Sequence, residues 1–395
     1  MVNERSVPRF GQFVAGHSRP LMAMIEVTNR CDMDCPVCFS DANHPATDVP
    51  MAEIRRRLER LLEVTRTPIP LQLSGGEPTL RHDLAEIVAL ATSLGFRNIE
   101  LITNGIRISR QADLLPRLKR HGLTAVYLQF DGLRRDTYLT IRGRDMTAVR
   151  HGAVEAARRA GLCVTLAVAV TRGVNDDEVG DVVAFGVDNV DTVRAINFQS
   201  ATRFTGRFEL EDAHGGYTLP GLLELIESQT GVPAASFRSE HMGHPLCNAM
   251  SFVFLVDGRL EPLFNYVSRD DMLRFLGDDG RDKVLALFGG KKAFFSCYLS
   301  NPGAWRLIAK AAPIFGYNPL NVLKTPHLLL FAKSFMERDG LDPERIERCC
   351  YGITDTAGVY SFCAFNNLHR FPDRTRARGL QPRSGGAPAT PRSSP

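Results

Sequence analysis

Several things are missing from this 395-residue sequence, and each absence narrows the reading. No uninterrupted apolar run approaches the roughly 18 residues that a membrane span needs, and no charged-then-apolar secretory signal opens the chain. Net charge is only +4 and no Lys/Arg block stands apart, which argues against a nucleic-acid partner. No Gly-x-Gly-x-x-Gly follows a strand-like run, so a dinucleotide fold would lack its phosphate loop. Nine cysteines are odd in number, and the first three stand too close together for a disulfide ladder. Together these features predict a reducing, cytoplasmic setting. With 44% hydrophobic and 23% charged residues, the chain has the composition of a globular protein and the length for a large α/β domain plus an extension.

What is present is an alternation. Residues 1–20 are polar, with Gly11, Gly16 and two prolines, and read as a lead-in. From Leu21, short β-rich runs alternate with amphipathic stretches, the pattern of parallel β/α units. Strands are predicted at Met22–Val27, Pro70–Ser74, Ile99–Thr103, Ala125–Phe130, Cys163–Val170 and Val193–Phe198. Helices are predicted near Met51–Thr65, Arg81–Leu94, Arg110–His121, Met146–Ala160 and Asp176–Asn189. The candidate functional residues fall at the C-terminal ends of successive strands, which fits a partial (β/α) barrel better than a doubly wound sheet.

The first strand delivers Cys31, Cys35 and Cys38 in a C-x3-C-x2-C loop followed by Phe39. Thiolates suit iron–sulfur clusters and zinc, but a closed structural zinc site takes four ligands. Three thiolates on a cubane leave one iron open. The second strand runs into Gly75-Gly76-Glu77-Pro78, where paired glycines permit close backbone approach. The third ends at Asn104-Gly105 and the fourth at Asp131-Gly132, each a short polar side chain that either turns the chain or bonds a ligand. The loop and the Gly-Gly-Glu segment together resemble the radical S-adenosylmethionine (SAM) superfamily. That resemblance implies a partial (β/α)6 TIM-like barrel with a C-terminal α+β extension and a [4Fe-4S] cluster on Cys31, Cys35 and Cys38. It also implies SAM on the open iron, contacted by Gly75, Gly76, Glu77, Asn104 and Asp131. One electron from the cluster would then cleave SAM to a 5′-deoxyadenosyl radical. The alternative is a zinc loop with a distant fourth ligand.

Other segments carry weaker signals. Arg142, after the fourth strand, could pair with a carboxylate. Asn175 reads as a helix N-cap and Cys163 as a core residue. Asn197, Gln199 and Arg203 alternate and would share a face toward the barrel mouth. This stretch, the His244-Pro245-Leu246-Cys247 segment and the Cys349–Asn366 segment resemble a narrower group, related to tetraether lipid synthases and a dihydropterin methyltransferase. Unlike the archaeal members, the chain has no cysteine before Cys31. Cys247, Cys297, Cys349, Cys350 and Cys363 lie beyond the barrel; four of them could hold an auxiliary iron–sulfur cluster, or all could be isolated thiols. An Asp257-Gly258 hairpin is predicted over Ser251–Leu263 and a similar unit near Val359. Trp305–Phe335 reads as amphipathic helices, with an apolar lipid-facing surface as the alternative. Residues after Phe371, rich in Arg, Pro, Gly and Ser, predict a disordered tail. The expected organisation is a core at 21–207, a lid-like extension at 208–370 and a tail at 371–395.

The function expected from the resemblance is hydrogen abstraction from an unactivated carbon, for C–C bond formation or methyl(ene) transfer on a lipid or pterin-like small molecule. An electron donor such as flavodoxin or ferredoxin would be required, and a lipid substrate would bring peripheral membrane contact. The alternatives are a radical SAM peptide maturase and, from another class, a zinc-stabilised binding protein without activity.

Overall fold

A computed structural model of the chain describes residues 10–15, 19–210, 216–240, 242–277, 302–318, 321–322 and 324–373. Cys297, most of the lead-in and most of the tail lie outside them.

Six parallel strands form where the apolar runs predict: β1 (Met22–Thr28), β2 (Leu71–Gly75), β3 (Ile99–Thr103), β4 (Ala125–Gln129), β5 (Cys163–Val170) and β6 (Val193–Ser200). They pair in sequence order, β1 to β6. Outward residues such as Ile25, Leu71, Leu101, Val126, Leu166 and Ile196 are buried under the helices. Removing each from water contributes roughly 1.5–3 kcal/mol. Helix α1 (Met51–Thr65) buries Ile54, Leu58 and Leu61 along one stripe and ends at Arg66, whose N–H bonds the Leu62 carbonyl from a left-handed conformation.

The other helices between β1 and β6 are α2 (Leu84–Ser93), α3 (Ile106–Arg110), α4 (Leu114–His121), α5 (Arg135–Arg142), α6 (Thr147–Ala160) and α7 (Val179–Asp188). Three starts differ from expectation, α2 and α7 by three residues and α4, which begins at Leu114 rather than Arg110, by four. Helix α2 begins three residues late because Arg81 stays extended and donates to the Val27 and Val49 carbonyls, each at 2.6 Å. Asn175 does not cap by its side chain. Its Nδ2 instead donates to the Asp131 carbonyl at 2.5 Å and its Oδ1 accepts from the Thr171 N–H at 2.7 Å.

The chain beyond residue 207 joins the same sheet. β7 (Asn248–Val256) and β8 (Arg259–Pro262) form the predicted hairpin, turned at Asp257 and Gly258 with φ of 48° and 74°. β9 (His327–Lys333) pairs parallel with β6 and antiparallel with β7. It lies in the segment predicted as helical. Its Leu-Leu-Leu-Phe-Ala run has no helical alternation because it is buried between two strands. The same segment does supply one helix, Pro302–Lys310. β10 (Tyr351–Thr354) pairs parallel with β1, and β11 (Val359–Ser361) pairs antiparallel with β10. The order is β8-β7-β9-β6-β5-β4-β3-β2-β1-β10-β11, so eight parallel strands (the expected six plus β9 and β10) form the curved wall of a partial barrel. The expected boundary at residue 207 therefore does not break the sheet. Arg370 returns to the first strand, with both Nη atoms on the Glu26 carboxylate at 2.8 and 3.0 Å.

Candidate functional site

The cysteine loop leaves the C-terminal end of β1 and is clamped from three directions. Asn43 brackets Cys31: its Oδ1 accepts from the Cys31 N–H at 2.8 Å and its Nδ2 donates to the Cys31 carbonyl at 3.2 Å. On the β2 side, Gly76 N–H donates to the Thr28 carbonyl at 2.9 Å and Glu77 N–H to the Arg30 carbonyl at 2.7 Å. Gly75 has φ of 142°, and a Cβ at Gly75 or Gly76 would press into the Thr28 or Arg30 carbonyl oxygen. On the far side Val37–Cys38 pairs antiparallel with Arg207–Phe208. There Gly206 abuts the Cys38 and Phe39 carbonyls, leaving no room for a side chain. Arg207 ion-pairs with Asp34 and, at 3.2 Å, with Asp41. Sequence reasoning did not single out Asn43, Gly206 or Arg207; the only signal for the last two was their place just after the sixth strand.

Cys31, Cys35 and Cys38 line one cavity of about 70 Å³, together with Gly75, Gly76 and Arg142. Asn104 also lines it. Its Nδ2 donates to Asp32 Oδ1 at 2.7 Å and its Oδ1 accepts from the Ile106 N–H at 2.9 Å, so its amide steadies the loop. The other two polar residues expected to contact SAM sit behind the wall. Glu77 is buried, and its carboxylate accepts from Thr79, from the Thr103 hydroxyl at 2.8 Å and from the Asn104 N–H at 2.7 Å. Burial pushes its carboxyl above the ordinary range against those bonds. Asp131 is fully buried and takes Arg142 Nε and Nη2 at 2.6 and 2.8 Å. Burial raises the Asp131 carboxyl, but the charge and hydrogen bonds of Arg142, the Arg150 charge and the Ala169 N–H together outweigh it and hold the group below its usual value. Glu77 and Asp131 thus act through backbone and Arg142, and Arg142, with Arg207 and Asp34, is one of the charged side chains that line the cavity beside the thiols.

Two of the thiols, Cys31 and Cys35, resist ionisation. Burial pushes Cys31 up to about 12, and it raises Cys35 while Arg142 opposes the shift. Binding iron releases those protons, so a metal centre here would be held by metal–thiolate bonding. A cubane gives each thiolate its own iron and spreads its ligands wider than one ion does. Among the described residues, no three His, Cys, Asp or Glu side chains stand at single-ion spacing.

A second, larger cavity of about 460 Å³ lies lower in the barrel. Strand periodicity relates the two. Gln72, Glu100 and Tyr127 line the lower chamber, and Ser74, Ile102 and Gln129, each two residues further along the same strand, line the upper one. Asn197 Nδ2 donates to the Tyr127 hydroxyl at 2.6 Å and Gln199 bonds the same oxygen, so the expected shared face exists. Arg203 instead lies over the Phe208 ring, 5.4 Å from its centroid. Cys163, expected in the core, is exposed at the chamber's rim because it is the first residue of its strand.

Cys247, Cys349, Cys350 and Cys363 all line this chamber. Three of them have separate partners: Cys247 Sγ accepts from Arg345 Nε at 3.2 Å, Cys363 Sγ accepts from the Met336 N–H at 3.4 Å, and Cys349 Sγ donates to the Tyr351 carbonyl at 3.3 Å. None of the eight described cysteines forms a disulfide.

The comparison with known proteins follows this geometry. A family model described as the radical SAM superfamily matches residues 25–186, covering the cysteine loop, the Gly-Gly-Glu segment and strands β2 to β5. The 7,8-dihydro-6-hydroxymethylpterin dimethyltransferase of Methanocaldococcus jannaschii is 31% identical over 396 residues, spanning 89% of this chain and 78% of that protein. The chain belongs to the radical SAM superfamily. As a radical SAM enzyme it uses a [4Fe-4S] cluster and SAM, and it requires a reductant. The GTP 3′,8-cyclase of Moorella thermoacetica is 34% identical over 230 residues, 54% of this chain and 68% of that enzyme. Among solved structures, Streptococcus suis SuiB bound to SAM aligns with a TM-score of 0.43 and 20% identity, over 53% of this chain and 47% of that one. No helix among the described residues is long and apolar enough to cross a membrane.

Proposed function

We propose that Cys31, Cys35 and Cys38 hold the [4Fe-4S] cluster, with the fourth iron left to SAM, and that the enzyme modifies an unactivated carbon of a small molecule by C–C bond formation or methyl(ene) transfer. The observation that carries this is the convergence of three thiols, the Gly75-Gly76 strand end and the Arg142 guanidinium on one small cavity at the C-terminal ends of the strands. When bound, the cluster supplies the electron that cleaves SAM to a 5′-deoxyadenosyl radical. The chain's own residues do the rest. The Gly75-Gly76 strand end lines the place of the methionine moiety, Glu77 fixes that strand end to the cysteine loop, and Asn104 steadies the loop through Asp32. Arg142, oriented by Asp131, presents a cation to a carboxylate.

The name of the Methanocaldococcus relative favours methyl transfer to a pterin-type ring over modification of a lipid chain. Flavodoxin or ferredoxin is the proposed electron donor. An auxiliary cluster on four of Cys247, Cys297, Cys349, Cys350 and Cys363 is proposed as a further centre, with residues 208–370 covering the substrate. The test is anaerobic reconstitution of the wild type and of Cys31→Ala. The wild type is expected to form 5′-deoxyadenosine from SAM with dithionite, and Cys31→Ala to lose both that activity and bound iron and sulfide. A wild type that makes no 5′-deoxyadenosine, or one whose Cys31→Ala variant loses zinc instead, overturns the proposal.

A further inference from the structure

The lower chamber has an unusual lining for a site that would receive a hydrocarbon. Apolar surface comes from Phe252, Phe254 and Phe331, the last beside Asn197 in the β9–β6 register. Among the polar side chains that also line it, Gln72, Glu100, Tyr127, Asn197, Lys333 and Tyr351 form a ring of neighbours. Part of that ring is internally matched. Gln72 Nε2 donates to Glu100 Oε2 at 2.7 Å, Thr165 donates to Glu100 Oε1 at 3.2 Å, and the Tyr351 hydroxyl donates to Gln72 Oε1.

Three groups remain under-matched. Asn197 Oδ1 is buried with no hydrogen-bond partner. Lys333 Nζ has no hydrogen bond or ion pair among the described residues; its ammonium lies 5.3 Å from the Tyr351 ring centroid. Glu100 holds a carboxylate inside the protein with two neutral donors and no ion-pair partner among the described residues. An isolated buried donor or acceptor costs about 1–3 kcal/mol, and a charged one more. An alkyl terminus laid against this ring would leave all three costs in place.

We propose that the chamber seats a planar, neutral, hydrogen-bonding heterocycle that has an amino group beside a ring N–H, and that Glu100, Asn197 and Lys333 select it. Glu100 accepts the paired N–H donors of an aminopyrimidinone edge, as a carboxylate does best with two parallel donors. Asn197 Oδ1 accepts a further N–H, and Lys333 donates to a ring carbonyl oxygen. Phe252, Phe254 and Phe331 give the chamber apolar ring surface against which a planar heterocycle can pack. The two-residue offset between Tyr127 and Gln129, and between Glu100 and Ile102, puts this ring about 7 Å below the lining of the cluster-loop cavity. The ring is thus directly in line with the proposed SAM site.

This inference rests on the radical SAM reading above, and the test separates the two. Equilibrium binding of 6-hydroxymethylpterin to the reconstituted holoenzyme with SAM is followed by its fluorescence, with palmitate as the apolar competitor. The expected result is saturable pterin binding that palmitate does not displace. Glu100→Gln should weaken it at least about tenfold and Lys333→Met about fivefold, both at unchanged iron content. The lysine variant stands alone should the glutamate variant fail to fold. No pterin binding, displacement by palmitate, or wild-type affinity in both variants overturns the assignment. If the same wild-type preparation still forms 5′-deoxyadenosine from SAM, only the substrate inference has failed; if it does not, the radical SAM reading has.

Discussion

The two cavities of this barrel share three strands and differ in how their polar groups are matched. Around the upper one, the side chains picked out by sequence are engaged by the chain itself. Asn104 bonds Asp32, Glu77 bonds Thr79, Thr103 and a backbone N–H, and Asp131 is held by Arg142. Around the lower one, Asn197 Oδ1 and Lys333 Nζ have no such bonds and Glu100 has no counter-ion among the described residues. Self-matched polar groups make a rigid holder for a group bound by covalent metal–thiolate contact. Under-matched ones make a reader, because only a complementary ligand relieves their cost.

The largest expected effect breaks the holder. A methyl group in Gly76→Ala would meet the Arg30 carbonyl and push the cysteine loop off β2. Stability should fall by about 3 kcal/mol or more. Iron uptake on reconstitution should fall with it. Urea unfolding and iron analysis check both, and a variant with normal iron content would show that the loop is not braced by this strand end.

Next comes the buried pair. Arg142→Gln leaves Asp131 alone in the interior, a loss of about 3–5 kcal/mol. Arg142→Gln combined with Asp131→Asn should recover most of that stability. SAM cleavage should stay low in both, because the guanidinium nearest the Cys35 thiol is gone and only Arg207 remains as a cation on the cavity lining. Recovery of cleavage in the double variant would reduce Arg142 to a purely structural residue.

The smallest effect sharpens the contrast through pH. Asp131 is held below its ordinary pKa, so its contribution to stability is present above the unfolded carboxylate value of about 3.9 and is lost as pH falls through the folded value. Glu100 has the opposite sign. Burial raises its carboxyl despite Gln72, Thr165 and Lys333, so stability is greatest below the unfolded value of about 4.3 and declines as pH rises through the folded one. Lys333, Tyr127 and Tyr351 face the same space, and all three share the burial. Glu100→Gln should therefore raise the melting temperature of the substrate-free protein by roughly 2–4 °C near pH 8, with the gain shrinking toward pH 5. A pH-independent difference would place the cost of Glu100 elsewhere than in its charge.

How far the sequence could be read follows from the range of the interactions. Parallel strands buried on both faces announce themselves as apolar runs, and β1 to β6 appear within a few residues of expectation. Strand β9 has a similar run, but nothing in His327–Lys333 tells a reader that its neighbours are residues 195–199 and 248–254. The three thiols and the glycine pair were legible because their chemistry is local. That Arg142 pairs with a carboxylate was legible too, but not that the carboxylate is Asp131, because Arg142 reaches it through α5, a short helix that the sequence pattern did not reveal. Glycine at position 206 is explained only by carbonyls 167 and 168 residues earlier.

The placement of β9 and β10 also fixes an order of assembly during synthesis. The hydrogen bonds that hold the cysteine loop itself come from residues between Thr28 and Glu209. The packing of Phe362 and Arg370 on Phe39 is added last, but the hydrogen-bonded framework can form once the chain through Glu209 has left the ribosome. The lower chamber cannot, since Lys333 and Tyr351 come from strands made more than a hundred residues later. Formation of the cysteine-loop end and closure of the lower chamber are thereby separated in time along the growing chain. A chain stopped near residue 210 would have the hydrogen-bonded frame of its cysteine loop in place, without the cover that Phe362 and Arg370 give Phe39, while both edges of its parallel sheet still awaited a strand.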